Sequence, residues 1–276
     1  MPTIAHISDL HLQSGKPARQ AQVEPILQKI NEMKPDLVVI SGDVTDDGWD
    51  SIEELKWAKR WLEERLEVVW WAVPGNHDVG NFASLSEGKI DDARVENWQI
   101  GFKAFELPVN FGVLGNWAII FVNSMLFGSG LDTEKVYRER LERELAMVQD
   151  RLSLVAIMHS PLFIEESDES IIPAAEYWIG PKATRLEIWN RLQQAGVKLI
   201  GSGHVHQSRL NDVEGVTIAW APPASGTWVN APGLPNPPMP EKTGFFLHHL
   251  HDDGRVETEL VECAPMLKCI EFNPWP

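Results

Sequence analysis

Short, unbroken apolar runs alternate along this chain with longer segments whose apolar positions recur every three or four residues. The runs Thr3–Ile7, Leu37–Ile40, Val68–Ala72, Leu154–Ile157 and Val197–Ile200 read as strands buried on both faces. Helical spacing marks Val23–Met33, Ser51–Leu66, Glu134–Gln149 and Pro181–Ala195. Ile52, Leu55, Ala58, Trp61, Leu62 and Leu66 fall near one helical face, as do Leu141, Leu145 and Val148 on another helix. Residues 93–105 are expected to add one more helix. Val109–Leu114 and Trp117–Asn123 flank the turn signal Gly115-Asn116 and predict a hairpin. From Arg209 onward the pattern becomes β-rich, with Val216–Ala221, Phe245–Leu250 and Val256–Val261. Strands alternating with helices predict an α/β sandwich. No repeat and no linker divides residues 1–276, so a single domain is expected.

Composition narrows the function classes. Apolar residues make up 43% and charged residues 23%, an ordinary globular balance in a chain long enough to bury a large core. No stretch reaches the roughly 18 apolar residues of a membrane span, so no membrane partner is expected. The N-terminus runs directly into a strand carrying His6 and then Asp9, which is not a secretory pattern, so a cytoplasmic location is expected. Two cysteines, Cys263 and Cys269, are too few for a disulfide framework or a cysteine zinc site. The net charge of −16 argues against a general nucleic-acid surface, which needs clustered Lys and Arg. It leaves room for a phosphate substrate, because bound metal ions reverse the local field.

The candidate chemistry sits at the strand ends. Thr3–Ile7 is followed by Ser8-Asp9-Leu10-His11, Leu37–Ile40 by Ser41-Gly42-Asp43, and Val68–Ala72 by Val73-Pro74-Gly75-Asn76-His77-Asp78. Leu154–Ile157 leads to Met158-His159, and Val197–Ile200 to Gly201-Ser202-Gly203-His204-Val205-His206. Each piece alone reads as an ordinary turn or a structural histidine. Five strands that each deliver Asp, Asn or His at their carboxyl ends do not read as coincidence, because that edge of an α/β sheet is where ligands bind. Asp, Asn and His without Cys suit divalent ions such as Mn, Fe, Co, Ni or Zn. Asp9, His11, Asp43, Asn76, His159, His204 and His206 are too many for one tetrahedral ion and suit two that share a carboxylate.

The series Asp9-x-His11, Gly42-Asp43, Gly75-Asn76-His77-Asp78, His159 and Gly203-His204-x-His206 resembles the calcineurin-like metallophosphoesterase superfamily, in order and without a gap. The resemblance implies a four-layer α/β/β/α sandwich with a dinuclear centre of two divalent metal ions (Mn, Fe or Zn) at the strand carboxyl ends. It also implies that Asp9, His11 and His206 bind one metal, that Asn76, His159 and His204 bind the other, and that Asp43 bridges them. His77 is then a catalytic residue facing the substrate phosphate. Asp78 is expected to orient His77, with a turn or cap role as the alternative. The implied reaction is hydrolysis by in-line attack of a metal-bridging hydroxide.

The stretch "SGDVTDDG" is similar to the cyclic-nucleotide phosphodiesterase and glycerophosphodiesterase branch, which implies a small phosphodiester or nucleotide substrate. Serine/threonine protein phosphatases usually carry "GDxVDRG" and an Arg after Asn-His, and both features differ here. "HISDLHL" also resembles DNA-repair exonucleases, which the charge and length count against. A non-catalytic binding scaffold is a third alternative.

Other features are read as structural. His6 is expected to be a buried strand residue, and His248, His249 and His251 to be surface histidines. Among twelve tryptophans, Trp57 and Trp61 share a helix face, while Trp178, Trp220 and Trp228 lie near loops that could approach the metal rim and stack on a base. Pro222–Pro240 holds seven prolines and reads as a loop, serving as a lid or a homodimer contact.

Overall fold

The computed structural model describes residues 1–82, 88–102, 110–148, 152–166, 173–226, 234 and 243–263. Its strands are β1 (Thr3–Ile7), β2 (Leu37–Ile40), β3 (Trp70–Ala72), β4 (Asn110–Leu114), β5 (Trp117–Val122), β6 (Ser153–Met158), β7 (Val197–Ser202), β8 (Arg209–Val213), β9 (Val216–Trp220), β10 (Gly244–Leu250) and β11 (Val256–Glu262). Its helices are α1 (Pro17–Met33), α2 (Ile52–Glu63), the single turn α3 (Asn76–Val79), α4 (Asp92–Phe102), α5 (Asp132–Val148), α6 (Pro173–Ile179) and α7 (Lys182–Gln194). The predicted hairpin is β4–β5, paired antiparallel from Asn110↔Phe121 to Leu114↔Trp117.

Among the described residues two sheets form, ordered β11-β10-β1-β2-β3 and β4-β5-β6-β7-β9-β8. The centres are parallel: β1 with β2 and β2 with β3 in the first, and β5, β6, β7 and β9 in the second. Parallel neighbours end at the same edge, so the loops after β1, β2 and β3 emerge together, as do those after β6 and β7.

Period-2 alternation then builds four layers. Ile4, Leu37 and Val39 face Trp117, Ile119, Phe121, Val155 and Ile157 across a core between the sheets. The alternate residues Ala5, Ile7, Val38 and Ile40 pack toward Val23, Ile26, Leu27, Leu55 and Ala58 of α1 and α2. On the second sheet Ala118, Ile120, Leu154 and Ala156 share the apolar cluster with Leu141, Leu145, Ile188 and Trp189 of α5 and α7. The architecture is the α/β/β/α sandwich that the resemblance implied.

Three elements depart from the sequence reading. Helix α1 begins at Pro17, six residues before the apolar periodicity, because proline at the first helical position needs no amide partner there. Helix α6 begins at Pro173 and is not signalled by periodicity. His248 is not a surface residue: alternation along β10 places it with Phe246 and Leu250 between the sheets, fully buried. His249 and His251 are partly exposed and face Glu259 and Glu257. Trp220 is buried, with the Arg209 guanidinium 5.1 Å from its ring centre. Trp228, Cys269 and most of Pro222–Pro240 lie outside the described residues.

Candidate metal centre

The seven predicted donors converge. Asp9, His11, Asp43 and His206 present ligand atoms within 4.8 Å of one another, and so do Asp43, His159 and His204. Asp43 belongs to both groups. Asn76 joins the second, its Oδ1 lying 3.1 Å from His159 Nε2. All seven are buried, and seven buried polar side chains without a common partner would be costly.

The backbone is bent to achieve this. Among the described residues seven non-glycine residues have left-handed φ, and five of them are Asp9 (53°), His11 (46°), Asp43 (48°), His204 (69°) and His206 (55°). Such conformations cost roughly 1–2 kcal/mol each in L-residues. Two glycines are required by close approach. A Cβ on Gly75 would overlap Asp43 Oδ1, and one on Gly203 would overlap Ser8 Oγ. Gly75-Asn76 and Gly203-His204 are therefore steric requirements of the centre.

Hydrogen bonds set the histidine tautomers. His159 Nδ1 lies 2.8 Å from the Ser41 carbonyl, His206 Nδ1 lies 2.7 Å from the Gly226 carbonyl, and His204 Nε2 lies 3.0 Å from the Tyr177 carbonyl. A carbonyl only accepts, so each of these nitrogens carries a proton, and in the neutral ring the other bears a lone pair. His11 Nδ1 faces Asp46 Oδ1 at 3.3 Å. His11 Nε2 and His206 Nε2 then meet at 3.0 Å, lone pair against lone pair. His159 Nε2 faces Asn76 Oδ1 at 3.1 Å and, while no cation is bound, donates to it. Opposed lone pairs, with the remaining N–H anchored outside, are the donor arrangement that a divalent cation satisfies. The residues present fit two such ions.

Protonation follows the charges. Burial works against the His159 imidazolium, but Asp43, with Oδ2 3.3 Å from Nε2, outweighs it and raises the pKa to about 9. Asp43 is held well below the usual carboxylate range, His159 overcoming the opposing effect of burial. Burial lowers His11 to about 4, helped by neighbouring His77. It lowers His204 to about 3, helped by neighbouring His159. Without a cation, the centre stores its proton between His159 and Asp43.

His77 and Asp78 have separate placements. The acceptor 2.8 Å from His77 Nδ1 is the Asp46 carbonyl, and the His77 amide donates to Asp43 Oδ1 at 2.9 Å. The Asp78 carboxylate instead accepts from the amides of Gly75, Val44 and Thr45 and from Thr45 Oγ1, at 2.9, 3.1, 2.9 and 2.7 Å. It fastens the loop after β3 to the loop after β2, which corrects the expectation that it orients His77. Burial and then Asp43 raise its pKa to about 6.

Asp46 escaped the sequence reading. Its carboxylate holds His11 and is gripped by Arg19 at 2.6 Å, while its carbonyl holds His77. Within "DVTDDG" nothing local separates this Asp from a turn residue.

The profile of the calcineurin-like phosphoesterase family matches residues 2–208. The chain is 27% identical to serine/threonine-protein phosphatase CPPED1 of Homo sapiens over 199 residues, 67% of this chain and 58% of that protein. It thus spans less than two thirds of that relative's length. It is 32% identical over 174 residues to the "probable glycerophosphodiester phosphodiesterase GpdQ" of Arcobacter nitrofigilis, 58% of each chain. A "probable cyclic nucleotide phosphodiesterase" of Synechococcus is 26% identical over 271 residues, 94% of this chain and 91% of that one. In fold, a dimetal phosphatase from Danio rerio superposes with a TM-score of 0.57 at 13% identity, covering 95% of this chain and 99% of that one. With residues 2–208 matched and the strand-end donors gathered on one edge, this chain belongs to the calcineurin-like phosphoesterase family.

Proposed function

We propose that this protein is a metal-dependent phosphodiesterase acting on small diesters of the cyclic-nucleotide or glycerophosphodiester class. The observation that carries the reading is the gathering of all seven donors around Asp43, with His77 partly exposed beside them. Asp9, His11 and His206 would hold one divalent ion, and Asn76, His159 and His204 the other, with Asp43 between. When bound, such ions supply charge to polarise phosphoryl oxygens and acidify a water molecule.

The chain's own residues do the rest. Asp9 and Asp43 return about −2 against the roughly +4 of two cations, so the centre attracts an anionic ester on a chain of net charge −16. The Asp46 carbonyl fixes the proton on His77 Nδ1, which makes Nε2 the nitrogen that meets the substrate. With a proton on Nε2 as well, His77 stabilises charge on a phosphoryl oxygen, or gives that proton to the departing oxygen and is left as the neutral Nδ1–H ring. Asp78 keeps the loops carrying Asp43 and His77 in register.

Diesters are favoured by the relatives named for glycerophosphodiester and cyclic-nucleotide hydrolysis, the second of which aligns along 94% of this chain. The likeness to CPPED1 keeps a second reading open, hydrolysis of phosphomonoesters including phosphoproteins. Assays with Mn²⁺ on bis(p-nitrophenyl) phosphate, p-nitrophenyl phosphate, a phosphoserine peptide and single- and double-stranded DNA separate the readings. The diester is expected to be turned over fastest. A higher kcat/KM on the phosphopeptide, or DNA cleavage with poor small-diester turnover, would overturn the proposal.

A further inference from the structure

Two histidines lie buried between the sheets, outside the donor set. His6 on β1 and His248 on β10 are fully buried in the layer that holds Ile4, Val39, Phe246 and Leu250. Polar rings in such a layer are costly unless bonded. Here they form a chain. Thr258 Oγ1 lies 2.8 Å from His248 Nδ1, His248 Nε2 lies 3.3 Å from His6 Nδ1, and His6 Nε2 lies 2.9 Å from Ser41 Oγ. Burial holds both below the ordinary histidine range, helped by His248 at His6 and by His249 at His248. Each is therefore a neutral ring with one donor and one acceptor, as a chain of this kind requires.

The chain ends on the peptide that anchors the second metal position. Ser41 is fully buried, and its carbonyl accepts from His159 Nδ1 at 2.8 Å and from Ser8 Oγ at 3.2 Å. Immediately after it, Gly42 (φ 94°) and Asp43 (φ 48°) make the left-handed turn that aims the Asp43 carboxylate shared by both donor groups. Across the layer, a Cβ on Gly201 would crowd the His6 ring, so His6 also packs on the strand that leads to His204 and His206.

We propose that His6 is a positioning residue for the metal centre: through Ser41 it holds the His159 imidazole and the turn that presents Asp43. The inference rests on the two-metal reading above, and adds a support that begins on the edge strand β11 at Thr258.

Mn²⁺ titration of the metal-free full-length protein, with bound metal counted by equilibrium dialysis, tests it beside a thermal melt. Wild type is expected to bind two equivalents. Ser41→Ala, and His6→Phe paired with His248→Phe, should each weaken binding of the equivalent held by His159 about 10–100-fold, the range for lost outer-shell partners. The equivalent held by Asp9, His11 and His206 should shift less. Partial recovery of activity at high Mn²⁺ should accompany this. A purely structural role would lower the melting temperature and leave both stepwise affinities within twofold of wild type, and that result overturns the proposal. Equal weakening of both steps overturns it too. Should the double variant fail to fold, Ser41→Ala alone decides. Fewer than two equivalents on wild type removes the two-metal reading, and this proposal with it.

Discussion

Metal uptake by this centre should expel a proton from His159. Asp43 outweighs burial and holds the imidazolium up to about 9, whereas coordination needs a neutral Nε2. His11 and His204 are already neutral above about 4 and about 3, so neither contributes near neutrality. At about pH 7 a cation must displace a proton held about two pH units too tightly. That is a factor on the order of 100, or roughly 3 kcal/mol. Because the pKa is raised, the penalty is present below about 9 and disappears above it. Affinity for Mn²⁺ should therefore rise about tenfold per pH unit between about pH 6 and about pH 8, then level off. Indicator competition on metal-free protein measures the slope, and calorimetry in two buffers of different ionisation enthalpy counts the protons. His159→Asn should lower the slope by one proton, which separates this proton from any lost by water. A change below threefold between about pH 6 and about pH 8 would refute the reasoning.

Other substitutions divide the centre by role. Asp43→Ala removes the carboxylate common to both donor groups, and should abolish hydrolysis and strip metal, read by elemental analysis. His77→Ala should retain metal and melting temperature while kcat falls about 10²–10⁴-fold; an empty site would show that His77 is a ligand. Asp78→Ala leaves the Gly75, Val44 and Thr45 donors buried without their acceptor. Even allowing for relief of a buried carboxylate, it should cost about 3 kcal/mol or more, read by denaturant unfolding. Gly203→Ala drives a methyl into Ser8 and Asp9, and should lower stability by about 1–3 kcal/mol together with metal content. An unchanged variant would mean that the close packing is not required.

Much of this was legible in the sequence because it is local. A short apolar run followed by Asp, Asn or His states both the strand and what its end presents. Parallel pairing then requires the ends of paired strands to share an edge, which groups Asp9, Asp43 and Asn76 on one sheet and His159 and His204 on the other, and the packing of the two sheets joins the groups. The glycines beside them carried a signal too, since only a residue without Cβ fits against Asp43 and Ser8. Where local patterning was weak, as in α6 after Pro173, the element was missed.

The sequence by itself therefore determined which strand ends carry Asp, Asn or His, their order, and the alternation of strands and helices, through residue type and strand periodicity; the four layers followed only from the family resemblance. Tertiary structure alone decided how the donors are held. Asp46 rather than Asp78 supports His77, the Tyr177 carbonyl on an unpredicted helix accepts from His204 Nε2, and β10 turns His248 inward to meet His6. Each of these contacts joins segments far apart in the chain, as His248 and His6 do across 242 positions. A hydrogen bond of that span leaves no mark on the residues around either end, because it depends on register and distance set only when the sheets pack.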